Sequence, residues 1–192
     1  MKVNNSLNAD NLQIQNEKSS LSKDGEQIAK EKLSNNELNS IDALYSSNYV
    51  RTIQTAKYIA ERNNLEINVV SDLGERKFGI NSWNELPEEF EKKQFLDDEY
   101  KIGNGENQRE VRERMYNAIM KIVDENKEKR IAIVSHSTAI TFLLRKWCEI
   151  TNDYGMSFND VNFFDGKWDY CKTFKLEFDN NNNLVSIKNI KL

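Results

Sequence analysis

Histidine and proline each occur once in this chain of 192 residues, and cysteine occurs twice. Each scarcity narrows the chemistry. Cys148 and Cys171 form neither a CxxC pair nor a metal-ligand spacing, so each reads as a small buried hydrophobe. No pair of acidic residues has two-metal spacing, and no metal or cofactor is expected. The lone proline, Pro87, and the absence of any Pro/Gly-rich linker leave no domain boundary, so residues 1–192 are expected to form a single domain. Long apolar runs are missing. None approaches the roughly 18 residues of a membrane span, and the polar start MKVNNSLNADNLQIQ is no signal peptide. The expectation is a cytoplasmic protein with no membrane partner. An excess of basic charge is missing too. The net charge is −4, which argues against a nucleic-acid surface but leaves room for a local basic pocket.

What is present is a soluble composition, 38% hydrophobic and 30% charged, in alternating helix-like and strand-like periods. Ser22 is a fitting N-cap for a helix that carries Ile28, Ala29 and Leu33 inward. A short strand runs from Ile41 to Tyr45. A helix over Val50 to Asn63 shows one face of Val50, Ile53, Ala56 and Ala60. Leu65 to Val69 alternates as a strand with one buried face. Pro87 suits the first turn of a helix reaching Phe95. Val111, Met115, Ala118, Ile119, Ile122 and Val123 mark a long amphipathic helix. Ile131 to Val134 is a continuous apolar run, the pattern of a central parallel strand buried on both faces, and a helix follows from Ser137 to Ile150. Phe174, Leu176 and Phe178, then a turn at Asn180–Asn183, then Leu184 to Ile190, predict an antiparallel hairpin at the sheet edge. Residues 1–20 are expected to be weakly structured. The block at about 80–105, with a helix signal but no strand, is the candidate cap over a site.

Three residues share one setting. Arg51 lies in the first turn of the helix after the Ile41 strand. Glu75 follows the Leu65 strand. His136 follows the Ile131 strand and opens a helix. In open α/β sheets, ligands bind at the carboxyl ends of strands. Helix N-termini there offer free N–H groups and a positive dipole end that suit phosphate. An arginine fork adds bidentate contacts to phosphate oxygens. A cation in a first helical turn opposes the dipole unless an anion compensates it, which favours Arg51 as an anion ligand. Arg51, His136 and Ser137 are therefore the expected phosphate-binding set, with Glu75 an acid able to protonate a leaving alkoxide. Arg109, Arg112 and Arg114 share a helix with many acids and read as a solvated, ion-paired face.

Five segments in order resemble the histidine phosphatase superfamily, whose members are phosphoglycerate mutase-like. They are Leu21-Ser22-Lys23-Asp24-Gly25-Glu26-Gln27; Tyr45-Ser46-Ser47 with Arg51-Thr52-Ile53-Gln54-Thr55-Ala56; Leu73-Gly74-Glu75-Arg76-Lys77-Phe78-Gly79; Gly105-Glu106 with Glu110-Val111 and Arg114; and Val134-Ser135-His136-Ser137-Thr138-Ala139-Ile140. The match spans about Leu21 to Ile150. The resemblance implies a three-layer α/β/α sandwich with a mainly parallel sheet and an antiparallel C-terminal hairpin. It also implies a catalytic set in which Arg51 is the second phosphate arginine, Glu75 the proton donor and His136 the second pocket histidine. The reaction it implies is phosphoryl transfer through a phosphohistidine.

The chain departs from that pattern. The family's opening strand, which ends in Arg-His-Gly and supplies the nucleophile, has no counterpart in the segment before Leu21. His136 is the only histidine and cannot fill both roles. The sheet is therefore expected to have a gap at that strand's central position. Asn107 stands where the family usually has Ser, and Ile80-Asn81-Ser82-Trp83 replaces a frequent aromatic and glycine. Three function classes stay open: a phosphomonoesterase lineage in a chain expected to lack turnover, a binding module for a phosphorylated metabolite or protein, and a purely structural or interaction role with the site vestigial. In the first two, the partner is a small phosphorylated substrate or inorganic phosphate.

Overall fold

The computed structural model describes residues 12–192. Six helices and eight strands alternate in a mixed α/β arrangement. In chain order they are α1 (Leu12–Lys18), α2 (Lys23–Lys32), β1 (Ala43–Ser46), α3 (Val50–Asn63), β2 (Ile67–Val69), α4 (Phe90–Leu96), α5 (Gln108–Glu125), β3 (Ile131–Val134), α6 (Ser137–Leu144), β4 (Glu149–Ile150), β5 (Gly155–Phe158), β6 (Val161–Asp165), β7 (Thr173–Phe178) and β8 (Leu184–Ile190). Of the N-terminal segment expected to be weakly structured, Leu12–Lys18 is helix, and the remainder of that expectation concerning residues 1–11 lies outside the described residues. No described helix is long and apolar enough to cross a membrane.

The heart of the fold is a parallel sheet in the order β2-β1-β3, with Leu44 paired to both Ile67 and Ala132. Alternation along β1 and β3 sends side chains to opposite faces. Leu44 and Ala132 pack with Ala29, Leu33, Ala56 and Ile59 from α2 and α3. Tyr45, Ile131 and Ile133 turn to Val111, Met115, Ile119, Ala139 and Leu143 from α5 and α6. Those two cores are the outer layers of the sandwich. A third cluster ties the end of α6 to the antiparallel strands through Leu144, Cys148, Met156, Phe164 and Ile187.

Local chemistry sets the helix ends. Ser22 caps α2 by accepting from the Gly25 amide. Asn64, at φ 53°, ends α3 in the left-handed conformation that asparagine tolerates. Asn107 opens α5 with a full capping box against Glu110. Asparagine thus keeps an N-cap that serine would supply equally well.

Several boundaries and faces differ from the sequence reading. The α3 face that is buried runs through Thr52, Ala56 and Ile59 rather than Val50, Ile53 and Ala60. Val69 is 52% exposed, because β2 is an outer strand of a short sheet. Pro87 lies in the turn before α4, its carbonyl accepting from Phe90. The helix after His136 stops at Leu144, and Asn152 to Trp168 folds into β5 and β6 of an antiparallel sheet that the pattern did not reveal. The hairpin β7-β8 forms as expected, but as its own two-stranded sheet. Among the described residues β3 is an outer strand too, with Ile131, Ile133 and Val134 only half-buried.

Candidate functional site

Because β1 and β3 are parallel neighbours, the loops after both open at the same sheet end. The loop after β1 brings Ser47 and Tyr49 to the start of α3, whose first turn carries Arg51. The loop after β3 brings His136, which is the N-cap residue of α6 but makes no side-chain cap bond. The first amides of α6 are therefore not capped by that side chain, and Ser137 is exposed at its first position.

The two ends meet at His136. Its Nδ1 lies 3.2 Å from an Arg51 Nη, and its Nε2 lies 2.9 Å from Ser47 Oγ. Burial first, then the charges of Arg51 and Arg114, push the imidazole pKa down to about 3, so the ring is neutral. Arg51 can only donate, so Nδ1 is the acceptor and Nε2–H donates to Ser47. Ser47 Oγ in turn lies 2.6 Å from Thr52 Oγ1, which donates to the Tyr49 carbonyl. Tyr49 braces both members, edge-on to the imidazole at 4.5 Å and beneath the Arg51 guanidinium at 4.6 Å.

The dipole conflict foreseen for Arg51 is relieved from an unexpected side. Its Nη1 donates to the Asn16 carbonyl at 2.7 Å and to Asn16 Oδ1 at 3.2 Å, in the last turn of α1. A helix C-terminus carries the negative dipole end. Gln13 adds a bond to the Tyr49 hydroxyl at 2.9 Å. No sequence signal placed α1 here, since the contact depends on tertiary packing of α1 against α3.

Glu75 follows the short turn Ser71–Leu73 after β2. One carboxylate oxygen accepts from the Arg76 amide at 2.9 Å. Burial raises its pKa against the pull of Arg76, Arg51 and Arg114. A carboxyl poised toward its protonated form is what an acid needs. The loop is held by Arg114, which the sequence reading had left on a solvated face. Arg109 does pair outward with Glu99, while the largely covered Arg112 pairs with Asp98. Arg114 instead donates to Glu106 at 2.7 and 2.9 Å and to the carbonyls of Asp72, Gly74 and Glu75. Burial would lift the Glu106 pKa, but the bonds and charge of Arg114, with Lys77, hold it below its usual value. The signal for this strap was the Gly105-Glu106…Arg114 pattern itself.

Beside Ser137 opens a cavity of about 350 Å³, lined by Arg76, Phe95, Phe142, Tyr154 and Trp168 among others. Helix α4, from the block at about 80–105, supplies Phe95 and Glu91 to its wall. Among the described residues no group of three or more His, Cys, Asp or Glu could hold a metal.

The family model for the histidine phosphatase superfamily (branch 1) matches residues 4–190, reaching further in both directions than the five segments. Bacillus stearothermophilus YhfR has a similar structure, with TM-score 0.66 and 18% identity over 90% of this chain and 88% of its own. So does a putative alpha-ribazole-5'-P phosphatase from Escherichia coli, with TM-score 0.64 and 17% identity over 92% of this chain and 86% of that one. A mutant phosphoserine phosphatase from Entamoeba histolytica, solved in complex with phosphoserine, gives TM-score 0.59 and 21% identity over 88% and 84%. No curated protein matches at a significant level.

Proposed function

Given that the chain belongs to the histidine phosphatase superfamily, branch 1, we propose that its cleft binds the phosphoryl group of small phosphomonoesters and that this 192-residue chain does not turn them over through a phosphohistidine. The observation that carries the binding reading is the 3.2 Å contact of Arg51 with His136 beside the first turn of α6. An anion at that point meets a guanidinium fork, the Ser137 end of a helix dipole and a neutral imidazole. To bind it, Arg51 exchanges its bonds to Asn16 for phosphate oxygens. Glu75 sits near enough to Arg51 to shift its pKa, and in this reading it is the group that protonates a leaving oxygen. A relative of the same fold was solved with phosphoserine.

Loss of turnover follows from the imidazole. A nucleophile needs a free lone pair aimed in line at phosphorus. His136 is the only histidine, its Nδ1 lone pair points at Arg51, and its Nε2 carries the proton given to Ser47. Calorimetry with inorganic phosphate tests the first half: we expect binding that Arg51→Ala reduces at least about tenfold, the weight of one charge-assisted contact. p-Nitrophenyl phosphate tests the second, with no hydrolysis above the His136→Ala variant. Turnover lost in that variant, with acid-labile label on His136, would refute it.

A further inference from the structure

We propose that the cavity beside Ser137 is a ring-binding subsite, and that the preferred ligand is a phosphomonoester with an aromatic ring close to its ester oxygen. This rests on the phosphate reading above and adds the leaving-group side to it. At about 350 Å³ the cavity has the size of a small-molecule site. Ser137 belongs both to the first turn of α6 and to the cavity wall, so the cavity adjoins the point where the phosphate reading has its anion.

The walls are planar rings. Phe95 from α4 and Tyr154 from the β4-β5 turn lie 4.4 Å apart, centroid to centroid. Phe142 comes from α6, and Trp168 follows β6. Trp168 is fixed by edge contacts to Phe164 and Phe174 at 5.4 and 5.7 Å. Aromatic faces and edges of this kind accept another ring better than an aliphatic chain.

Tyr154 is held there against its own preference. At φ 66° it occupies the left-handed region, unusual for a bulky residue. The turn is locked by Tyr154 N–H to the Thr151 carbonyl and Thr151 N–H to the Gly155 carbonyl, both 2.9 Å.

Arg76, also on the wall, is 3% exposed and lies over Phe78 at 4.7 Å. It pairs at 2.9 Å with a Glu91 carboxylate that is itself largely in solvent, and its buried Nε has no hydrogen-bond partner.

Calorimetry on the 192-residue chain with inorganic phosphate, glycerol 3-phosphate and phenyl phosphate separates the two readings. Phenyl phosphate is expected to bind at least tenfold tighter than glycerol 3-phosphate. Trp168→Ala and Tyr154→Asn should each erase most of that advantage while leaving inorganic phosphate affinity unchanged. Asparagine tolerates the left-handed backbone, so the second variant keeps the turn. Phosphate binding with no preference for the ring, or a preference that survives both variants, would overturn this inference alone. Failure to bind inorganic phosphate would overturn the phosphate reading and this inference with it.

Discussion

His136 is held neutral by its surroundings, and that has a thermodynamic signature. Its folded-state pKa of about 3 lies below the ordinary 6.5 because burial and the neighbouring Arg51 and Arg114 oppose a second positive charge. The unfolded chain therefore takes up the proton first as pH falls. The contribution of the neutral ring is intact above about 6.5 and is lost progressively toward about 3. Glu75 acts with the opposite sign, since its raised pKa favours folding at low pH. Comparison with His136→Gln cancels that term, because Glu75 is present in both proteins. Denaturant unfolding at a series of pH values should show wild type losing stability relative to the variant below pH 6.5. The differential slope should approach about 1.4 kcal/mol per pH unit, one proton's worth. Parallel pH profiles would mean that the imidazole is not desolvated. At this scale the positions of Arg51, Glu75 and His136 downstream of β1, β2 and β3 were legible in the sequence, because strand ends can be read. The Asn16 and Ser47 partners were not, because which polar side chain meets which depends on how helices dock.

The loop that carries Glu75 is clasped to the segment before α5 by one backbone bond and one bond to a carboxylate. The Glu106 amide donates to the Lys77 carbonyl, and the Lys77 amide donates to a Glu106 carboxylate oxygen, both at 2.9 Å. Gly79 sits at φ +75°, and a Cβ there would fall well inside contact distance of the Ile102 carbonyl and the Gly105 backbone. Gly79→Ala combines a left-handed penalty with a clash that backbone must relieve, so thermal or denaturant unfolding should show a loss of about 2–3 kcal/mol. Arg114→Lys keeps the charge but loses the fork that serves Glu106 and three carbonyls. It should destabilise by about 2 kcal/mol and speed amide exchange from Asp72 to Lys77, because a lysine point charge cannot replace the bidentate geometry. An unchanged exchange pattern would return Arg114 to the solvated face on which the sequence analysis placed it. That placement followed from counting acids along α5. Periodicity reports which helix face is apolar, and it is silent about a single arginine that leaves the polar face to grasp a neighbouring loop.

Across the whole molecule the side-chain pattern reports faces, while strand order is written in backbone groups that every residue shares. The run Ile131 to Val134 correctly announced a strand with apolar cover on both faces, since α5 and α6 lie on one side and α2 and α3 on the other. It could not announce a lateral neighbour. On β3 the carbonyls of Arg130 and Val134 accept from the amides of Ala43 and Ser47, so Arg130, Ala132 and Val134 turn their backbone groups toward β1. Ile131, Ile133 and Ser135 must then turn theirs the other way, where no described strand pairs with them. An unpaired edge beside apolar side chains is a place for added strands to dock, and its amides open to solvent without unfolding the sheet. Hydrogen exchange read by NMR should alternate along β3: the Ala132 and Val134 amides slow, the Ile131 and Ile133 amides faster by at least about tenfold, the ratio expected for a hydrogen bond worth about 1.4 kcal/mol. A further rise in protection at Ile131 and Ile133 with protein concentration would point to edge-to-edge association of two chains. Even, concentration-independent protection along the four residues would mean that another strand of the same chain already covers the edge, and that β3 is the central strand its sequence announces.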